Sequence, residues 1–378
     1  MNILIVNTLY APFKVGGAEV SVQLLAERLV TSGHQVRVVC LHDEKERKQT
    51  IINGVEVVYL HLKNLYWPFS DVKKGKFQKI IWHLIDSYNP LMKKPLEKEI
   101  DDFKPDVVHT NNVSGFSVSV WDAVKKKNIR LVHTTRDYYL FHHNCTLFKE
   151  GMNMDVSSNK LRMLSAIKRW KSKNVDSFVG ISKYISELHR SNGYAPSSVH
   201  SHIYNPIKSY VVANIPAEVI RIGFIGRLTA DKGFAEFCEI AKSTTHAKDV
   251  VYFAAGRLAN THEGEKLKDM AKQAGVNLVG FVPADEFLAS IDMLLLPIKW
   301  NEPFGRVVAE GASAGKYVFT SFSGGIKEIA DFYENVFELD EFTLERVREL
   351  KKQEPLLPAK NPFDVMVLAD SYQKIYQG

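Results

Sequence analysis

A chain of 378 residues, 45% hydrophobic and 24% charged, is too long for one ordinary core and has the make-up of a two-domain globular protein. Three widely spaced cysteines, Cys40, Cys145 and Cys238, fit neither a disulfide framework nor a zinc-ligand pattern, and no stretch reads as a signal peptide or a membrane-spanning helix, so a cytoplasmic protein is expected. The net charge of +6 is uneven: residues 1–200 carry 29 Lys+Arg against 19 Asp+Glu (+10), and residues 201–378 carry 20 against 24 (−4), as expected of two lobes with different partners or of an uneven solvated surface.

The β-branched run NILIV (2–6) predicts a strand, and Val22, Leu25, Ala26 and Leu29 repeat at helical spacing before Ser32-Gly33 closes the helix. Further strands follow in HQVRVVC, GVEVVYL, PDVVHT (105–110), NIRLVHT (128–134) and VDSFVGIS (175–182), with Ser182 placed to cap the next helix. Strands alternating with helices predict βαβ units and a parallel sheet. The loop-like YNPIKSYVVANIPAEV interrupts the series, and IRIGFIGRL (220–228) restarts it through DVVYFAAG, VNLVGFV, DMLLLP and KYVFTS. The expected fold class is therefore α/β, with two Rossmann-like, doubly wound domains facing a central cleft. Residues 1–205 and 206–360 would form the domains. An amphipathic helix in 361–378, with Val365, Leu368, Tyr372 and Ile375 on one face, would end the chain. The least regular stretch, 61–95, interleaves Lys63, Lys73, Lys74, Lys76, Lys79, Lys93 and Lys94 with Tyr66, Trp67, Phe69, Phe77, Trp82 and Tyr88. That mixture suits an anionic membrane surface, a single-stranded nucleic acid, or an inserted helix with one solvated face.

Ligands of open parallel sheets bind beyond the carboxyl ends of the strands, and three stretches fall there. In KVGGAE (14–19), Gly16 and Gly17 allow close backbone approach at a helix start that offers N–H groups to an anion. In GFIGRLTADKG (223–233), Arg227 supplies a planar fork for phosphate and Lys232 a second positive charge. In NEPFGRVVAE (301–310), Glu302 lies on a turn and Glu310 in the helix that follows. Successive residues are about 100° apart on a helix, so the two carboxylates do not share a face and need not act as a pair. Glu302 can accept hydrogen bonds from ligand hydroxyls and Glu310 from a deeper diol such as a ribose, while the helix start between them favours a diphosphate. SGGIKE (323–328) adds another glycine turn.

Together, GGAE, GRLTADKG, NEPFGRVVAE and SGGIKEI, with VGISKYISE and YNPI before the linker, resemble the retaining, nucleotide-sugar-dependent glycosyltransferases of the GT-B fold (family 4, glycogen-synthase-like), in the family's order across most of the chain. The resemblance implies an acceptor-binding first domain, a nucleotide-sugar-binding second domain, and a last helix crossing back onto the first. Arg227 and Lys232 would bind the donor diphosphate, Glu302 the donor sugar and Glu310 the ribose. The amides of Phe304 and Gly305 would face sugar and phosphate, with Gly16 and Gly17 approaching the pyrophosphate. No Asp-x-Asp occurs in the chain, so no metal and no cofactor is expected, the nucleotide-sugar being a co-substrate. Relatives commonly read His-Asp where this chain reads Arg136-Asp137, which puts an arginine where the resemblance implies a sugar-contacting histidine. Arg136 could instead recognise the carboxylate of an acidic sugar. His109 ends the preceding strand, on the expected sugar and acceptor side with Arg136 and Asp137. Lys316-Tyr317 replaces a Pro-Val-like pair, a change expected to act on packing.

The function this implies is transfer of a sugar to a glycan or lipid-linked acceptor in surface polysaccharide or lipopolysaccharide synthesis, peripheral to the inner face of the membrane through 61–95. A non-catalytic nucleotide-sugar-binding subunit of the same fold is the alternative. A nicotinamide-dependent oxidoreductase would need a G-x-G-x-x-G after its first strand, which is missing, and nucleic acid is not an expected partner.

Overall fold

Four of the five side chains of Asn2–Val6 (β1) are buried, which only the middle of a sheet covered on both faces allows. The computed structural model describes residues 1–13, 16–70, 72–208, 210, 217–353 and 361–378. It divides into two units: Met1–Leu147 with Asp155–Pro206 and Phe363–Gly378, and Phe148–Met154 with Ile207–Pro362.

In the first unit, β1 leads into Gly17–Thr31 (α1), whose Val22, Leu25, Ala26 and Leu29 are all buried. Next come Gln35–His42 (β2), Lys48–Ile52 (β3), Val55–His61 (β4), Lys76–Ser87 (α2), Lys93–Phe103 (α3), Val107–Thr110 (β5), Ser119–Lys126 (α4) and Arg130–Thr135 (β6). The two-residue strands Phe148–Lys149 (β7) and Met152–Asn153 (β8) pair as a small hairpin that belongs to the second unit. The chain then returns through Asn159–Leu164 (α5), Ala166–Lys171 (α6), Ser177–Gly180 (β9), Lys183–Ser191 (α7) and Val199–His202 (β10). The strand order β10-β9-β6-β5-β1-β2-β4-β3 is parallel except for β3, an exposed antiparallel edge. Ser182 caps α7 by accepting from the Ile185 N–H at 3.2 Å.

The second unit repeats the logic with Ile220–Ile225 (β11), Phe234–Ser243 (α8), Val250–Ala255 (β12), His262–Gln273 (α9), Asn277–Gly280 (β13), Ala284–Ser290 (α10), Met293–Leu296 (β14), Arg306–Ser313 (α11), Tyr317–Thr320 (β15), Ile326–Ala330 (α12), Val336–Glu338 (β16) and Leu344–Lys351 (α13). Its sheet, β13-β12-β11-β14-β15-β16, is parallel throughout, and the chain reverses direction of growth between β11 and β14. Each Leu, Ile or Val buried in these strands contributes roughly 1.5–3 kcal/mol relative to exposure. Val365–Gln377 (α14) rejoins the first unit: Tyr372 and Tyr376 pack on His109, and Arg130 Nε donates to the Ile375 carbonyl at 2.9 Å.

The 61–95 stretch is built on α2, which buries Trp82 and Asp86 and leaves Phe77, Ile80 and Leu84 facing solvent at 74%, 58% and 66% exposure. Lys316, just before β15, is fully buried. Its Nζ donates to the Ile291 carbonyl at 2.8 Å, and burial pulls its pKa down to about 8 against the opposing charge of Asp292. An unfolded lysine titrates near about 10.4, so between about pH 8 and 10 the unfolded chain holds more protons and stability rises with pH. Lys316→Met is expected to abolish a rise of about 2 kcal/mol between roughly pH 7.5 and 9.5. Urea unfolding of both proteins at the two pH values measures this, and an equal rise in both would contradict the assignment.

Candidate functional site

In the second unit, the loops after β11 and β14 flank the point where strand order reverses, the usual crevice for a ligand in such a sheet. Lys232, on the first loop, forms an ion pair with Glu302, on the second, and its ammonium lies 4.7 Å from the centre of the Trp300 ring. Trp300 Nε1 donates to the same carboxylate oxygen of Glu302 at 2.9 Å. The loops come this close because two glycines permit it. Gly233 has φ +78°, and a Cβ there would lie 1.7 Å from the Pro297 carbonyl oxygen. Gly324 has φ +61°, and a Cβ there would lie 2.3 Å from that of Glu302. The Glu302 carbonyl instead accepts from the Gly325 N–H at 2.7 Å, which fixes the SGG turn against the NEPFG turn.

Arg227 is half exposed, steadied by one bond of 2.7 Å to Asp231, and its guanidinium borders solvent beside the loop that carries Lys232. The Asp231 carbonyl accepts from the main-chain N–H groups of Lys299 and Trp300, a second tie between the two loops. Phe304 is buried and Gly305 caps α11, so their main chain sits at the helix's positive end. Glu310 is buried in α11. Burial raises its pKa, opposed by Arg306, whose Nε donates to it at 2.8 Å, and by Lys208. The two glutamates thus have different settings: Glu302 is tied to a lysine and an indole, Glu310 to an arginine one helical turn away. Asn153, from the β7–β8 hairpin, brackets the same turn by donating to the Lys299 carbonyl at 3.0 Å and accepting from the Asn301 N–H at 3.0 Å. Trp300, Asp231, Arg306 and Asn153 are absent from the sequence-based site. Only the Arg306–Glu310 pair, four apart on a helix, carried a readable signal.

In the first unit the sequence-based residues fare unevenly. Lys14 and Val15 lie outside the described residues. The Gly16 N–H is not offered to an incoming anion: it donates to Glu19 Oε2 at 2.9 Å, because a glutamate at the third helical position reaches back over the helix start. Gly17 begins α1 beside it. His109 is corrected from a sugar-side residue to a core residue. It is fully buried, and its ring nitrogens pair with Tyr376 Oη and Thr134 Oγ1, each at 2.7 Å, so no edge of the imidazole is left for a ligand. Burial pushes its pKa well down.

Arg136 follows β6 and is buried, donating to Asn111 Oδ1 at 2.9 Å and to the side-chain oxygen of Asn205. Asp137 accepts from the Tyr139 N–H at 2.7 Å, and its pKa is raised to about 6. Burial is the main cause and the nearby Glu19 carboxylate adds to it, against the pull of Lys168 and Arg136. A carboxyl poised near neutrality beside a second carboxylate has the character of an acid–base group. Asn111 and Asn205, which orient Arg136, were not legible in sequence, since their contact with it is set by strand order alone.

Comparison with known proteins agrees with this geometry. Residues 15–208 match the family model for Glycosyltransferase Family 4, and residues 211–354 that for Glycosyl transferases group 1. An uncharacterized 42.6 kDa protein in the cps region of Klebsiella pneumoniae is 45% identical over the whole of both chains. Among solved structures, sucrose-phosphate synthase from Thermosynechococcus elongatus superposes with a TM-score of 0.71 at 14% identity, covering 100% of this chain and 98% of that one. HepE of Anabaena, solved with UDP and glucose, superposes with a TM-score of 0.68 at 17% identity, covering 100% and 99%. At such identities the likeness speaks for the fold, which is that of the GT-B glycosyltransferases. With a family model matching each half, the chain belongs to the glycosyltransferases, family 4 in its first half and group 1 in its second.

Proposed function

We propose that the protein is a retaining, metal-independent glycosyltransferase that moves a hexosyl group from a nucleotide-sugar to a glycan or lipid-linked acceptor in surface polysaccharide synthesis. The observation that carries this reading is the Lys232–Glu302–Trp300 cluster, held between two loops at the strand-order reversal, with the start of α11 beside it and Glu310 behind. Arg227 and Lys232 would stabilise the departing diphosphate together with the α11 dipole. Loss of one such donor costs roughly 10²–10³ in turnover in other enzymes. Glu302 would accept from the donor sugar's hydroxyls and Glu310 from the ribose, with the Phe304 and Gly305 amides facing sugar and phosphate. The leaving group would depart through an oxocarbenium-like transition state, a phosphate oxygen taking the acceptor's proton on the same face of the sugar. The charge that a metal would otherwise supply comes, in this reading, from side chains.

A relative in a cps region supports an envelope polysaccharide, and the HepE complexes with UDP and UDP-glucose make uridine nucleotides the first to try. Arg136, standing in the His-Asp position, favours the second reading, a nucleotide-sugar-binding subunit without turnover. On α2, Phe77, Ile80 and Leu84 face solvent next to Lys73, Lys76 and Lys79, a combination suited to anionic lipid headgroups.

Thermal unfolding with UDP-, GDP- and ADP-sugars is expected to show a raised melting temperature with one nucleotide class, lost in Glu310→Ala. No shift with any nucleotide would remove the reading. A shift without release of nucleoside diphosphate in the presence of capsular oligosaccharides would favour the subunit. In vesicle flotation, the protein should rise with phosphatidylglycerol but not with pure phosphatidylcholine, and Phe77→Ser with Leu84→Ser should reduce the floated fraction at least fivefold. Equal flotation of the double variant would rule out α2 as the contact.

A further inference from the structure

At the carboxyl ends of β1, β2 and β4 the first unit carries a bowl of about 860 Å³ that the donor chemistry does not use. Its floor is Leu9, His42 and Tyr59, all buried. Phe13, Trp67 and Phe69 form aromatic walls, the Trp67 and Phe69 rings meeting edge to face with centres 5.2 Å apart. Glu44, Lys48, Gln49 and Thr50 make an exposed polar rim. Tyr59 Oη donates to the Ala11 carbonyl, so the segment that carries Phe13 is tied to the sheet.

The His42 side chain decides what fits. It is 6% exposed, it lines the bowl, and its Nε2 is buried without a hydrogen-bond partner. A polar nitrogen left without partner or solvent contact is costly, and a bound group toward which the ring turns recovers that cost. An acyl or isoprenyl chain would fill the apolar volume and leave the nitrogen unpaired. A pyranose answers both demands: its C–H face covers an indole or phenyl ring, and a hydroxyl at its edge meets the imidazole while others reach the rim.

We infer that this bowl is a saccharide subsite, with Trp67 as the stacking platform and His42 as the hydroxyl partner, and that it holds a sugar ring of the acceptor. Its role as acceptor site rests on the transferase reading above; its binding of a sugar does not. It also accounts for part of the aromatic content of 61–95, because Trp67 and Phe69 turn into the bowl while α2 turns its apolar stripe to solvent.

Saturation-transfer NMR with methyl glycosides of glucose, galactose, mannose, N-acetylglucosamine and glucuronic acid tests it. At least one should receive saturation from the wild-type protein, with affinity weakened at least tenfold in Trp67→Ala and at least threefold in His42→Ala. Phe69→Ala, at a site 44% exposed, guards against loss of fold and should weaken binding in the same direction, and a retained melting shift with the nucleotide that binds confirms folding of each variant. Absence of saturation in every glycoside, or an unchanged signal in Trp67→Ala, overturns the subsite. So does dodecyl maltoside saturated along its alkyl chain and not its sugar, which would mark an apolar-chain site. Glycoside binding without any nucleotide binding would leave the subsite standing and remove the transferase reading; nucleotide binding without glycosides would do the reverse.

Discussion

The ion pair between Lys232 and Glu302 is the constraint around which the carboxyl end of the second unit's sheet is built. It joins the loop after β11 to the loop after β14, the two segments on either side of the reversal in strand order. Neither side chain is widely exposed, 21% for the lysine and 14% for the glutamate, so the pair sits in a setting where desolvation offsets much of the Coulombic gain. Trp300 shifts that balance by placing its ring near the ammonium and its N–H on the carboxylate. The cluster holds a positive and a negative group ready at one place.

Backbone geometry had to bend for this. Gly233 and Gly324 lie in the left-handed region, where a side chain would also collide with a carbonyl oxygen of the facing loop. The glycines of GRLTADKG and SGG are thus explained first as spacers that let two loops touch. The hairpin formed by β7 and β8 reinforces the same turn through Asn153, although it lies far away in sequence, before the first unit is complete. A short segment of the second unit that interrupts the chain of the first is the least expected feature of the topology.

Most of the parallel strands were legible because their residues are buried on both faces and read as apolar runs: NILIV, DVVHT and DMLLLP needed no partner to be recognised. The strands that escaped are those without that signal. KQTII forms β3 as a solvent-facing edge, and β7 with β8 comprises two-residue strands whose pairing no periodicity can reveal. The site residues divide similarly. Glu302, Glu310, Arg227 and Lys232 lie within short local patterns, whereas Trp300 and Asn153 act through contacts that depend on loop shape. His109 shows the opposite failure. Its place at the end of β5 looked functional, but Tyr376 and Thr134 satisfy it, and one of these lies on the last helix, 267 residues away. No local pattern announces such a contact.

The start of α1 shows how one residue can change what a motif means. Two glycines at a strand-to-helix turn suggest open amides, but Glu19 at the third helical position takes the Gly16 N–H and places a buried carboxylate where an anion was expected. That carboxylate in turn raises the proton affinity of Asp137, already high from burial, so this end of the first unit's sheet is acidic and able to hold a proton near neutral pH. Arg136, fixed by Asn111 and Asn205, supplies the nearby positive charge. The two units therefore present different chemistry at corresponding sheet edges. The second offers cations and a helix start suited to phosphate. The first offers carboxyls and side-chain amides around Arg136, together with aromatic walls, groups that bind hydroxyl-rich surfaces. The difference between the two edges lies in their local charges and is not visible in the net charge of either half.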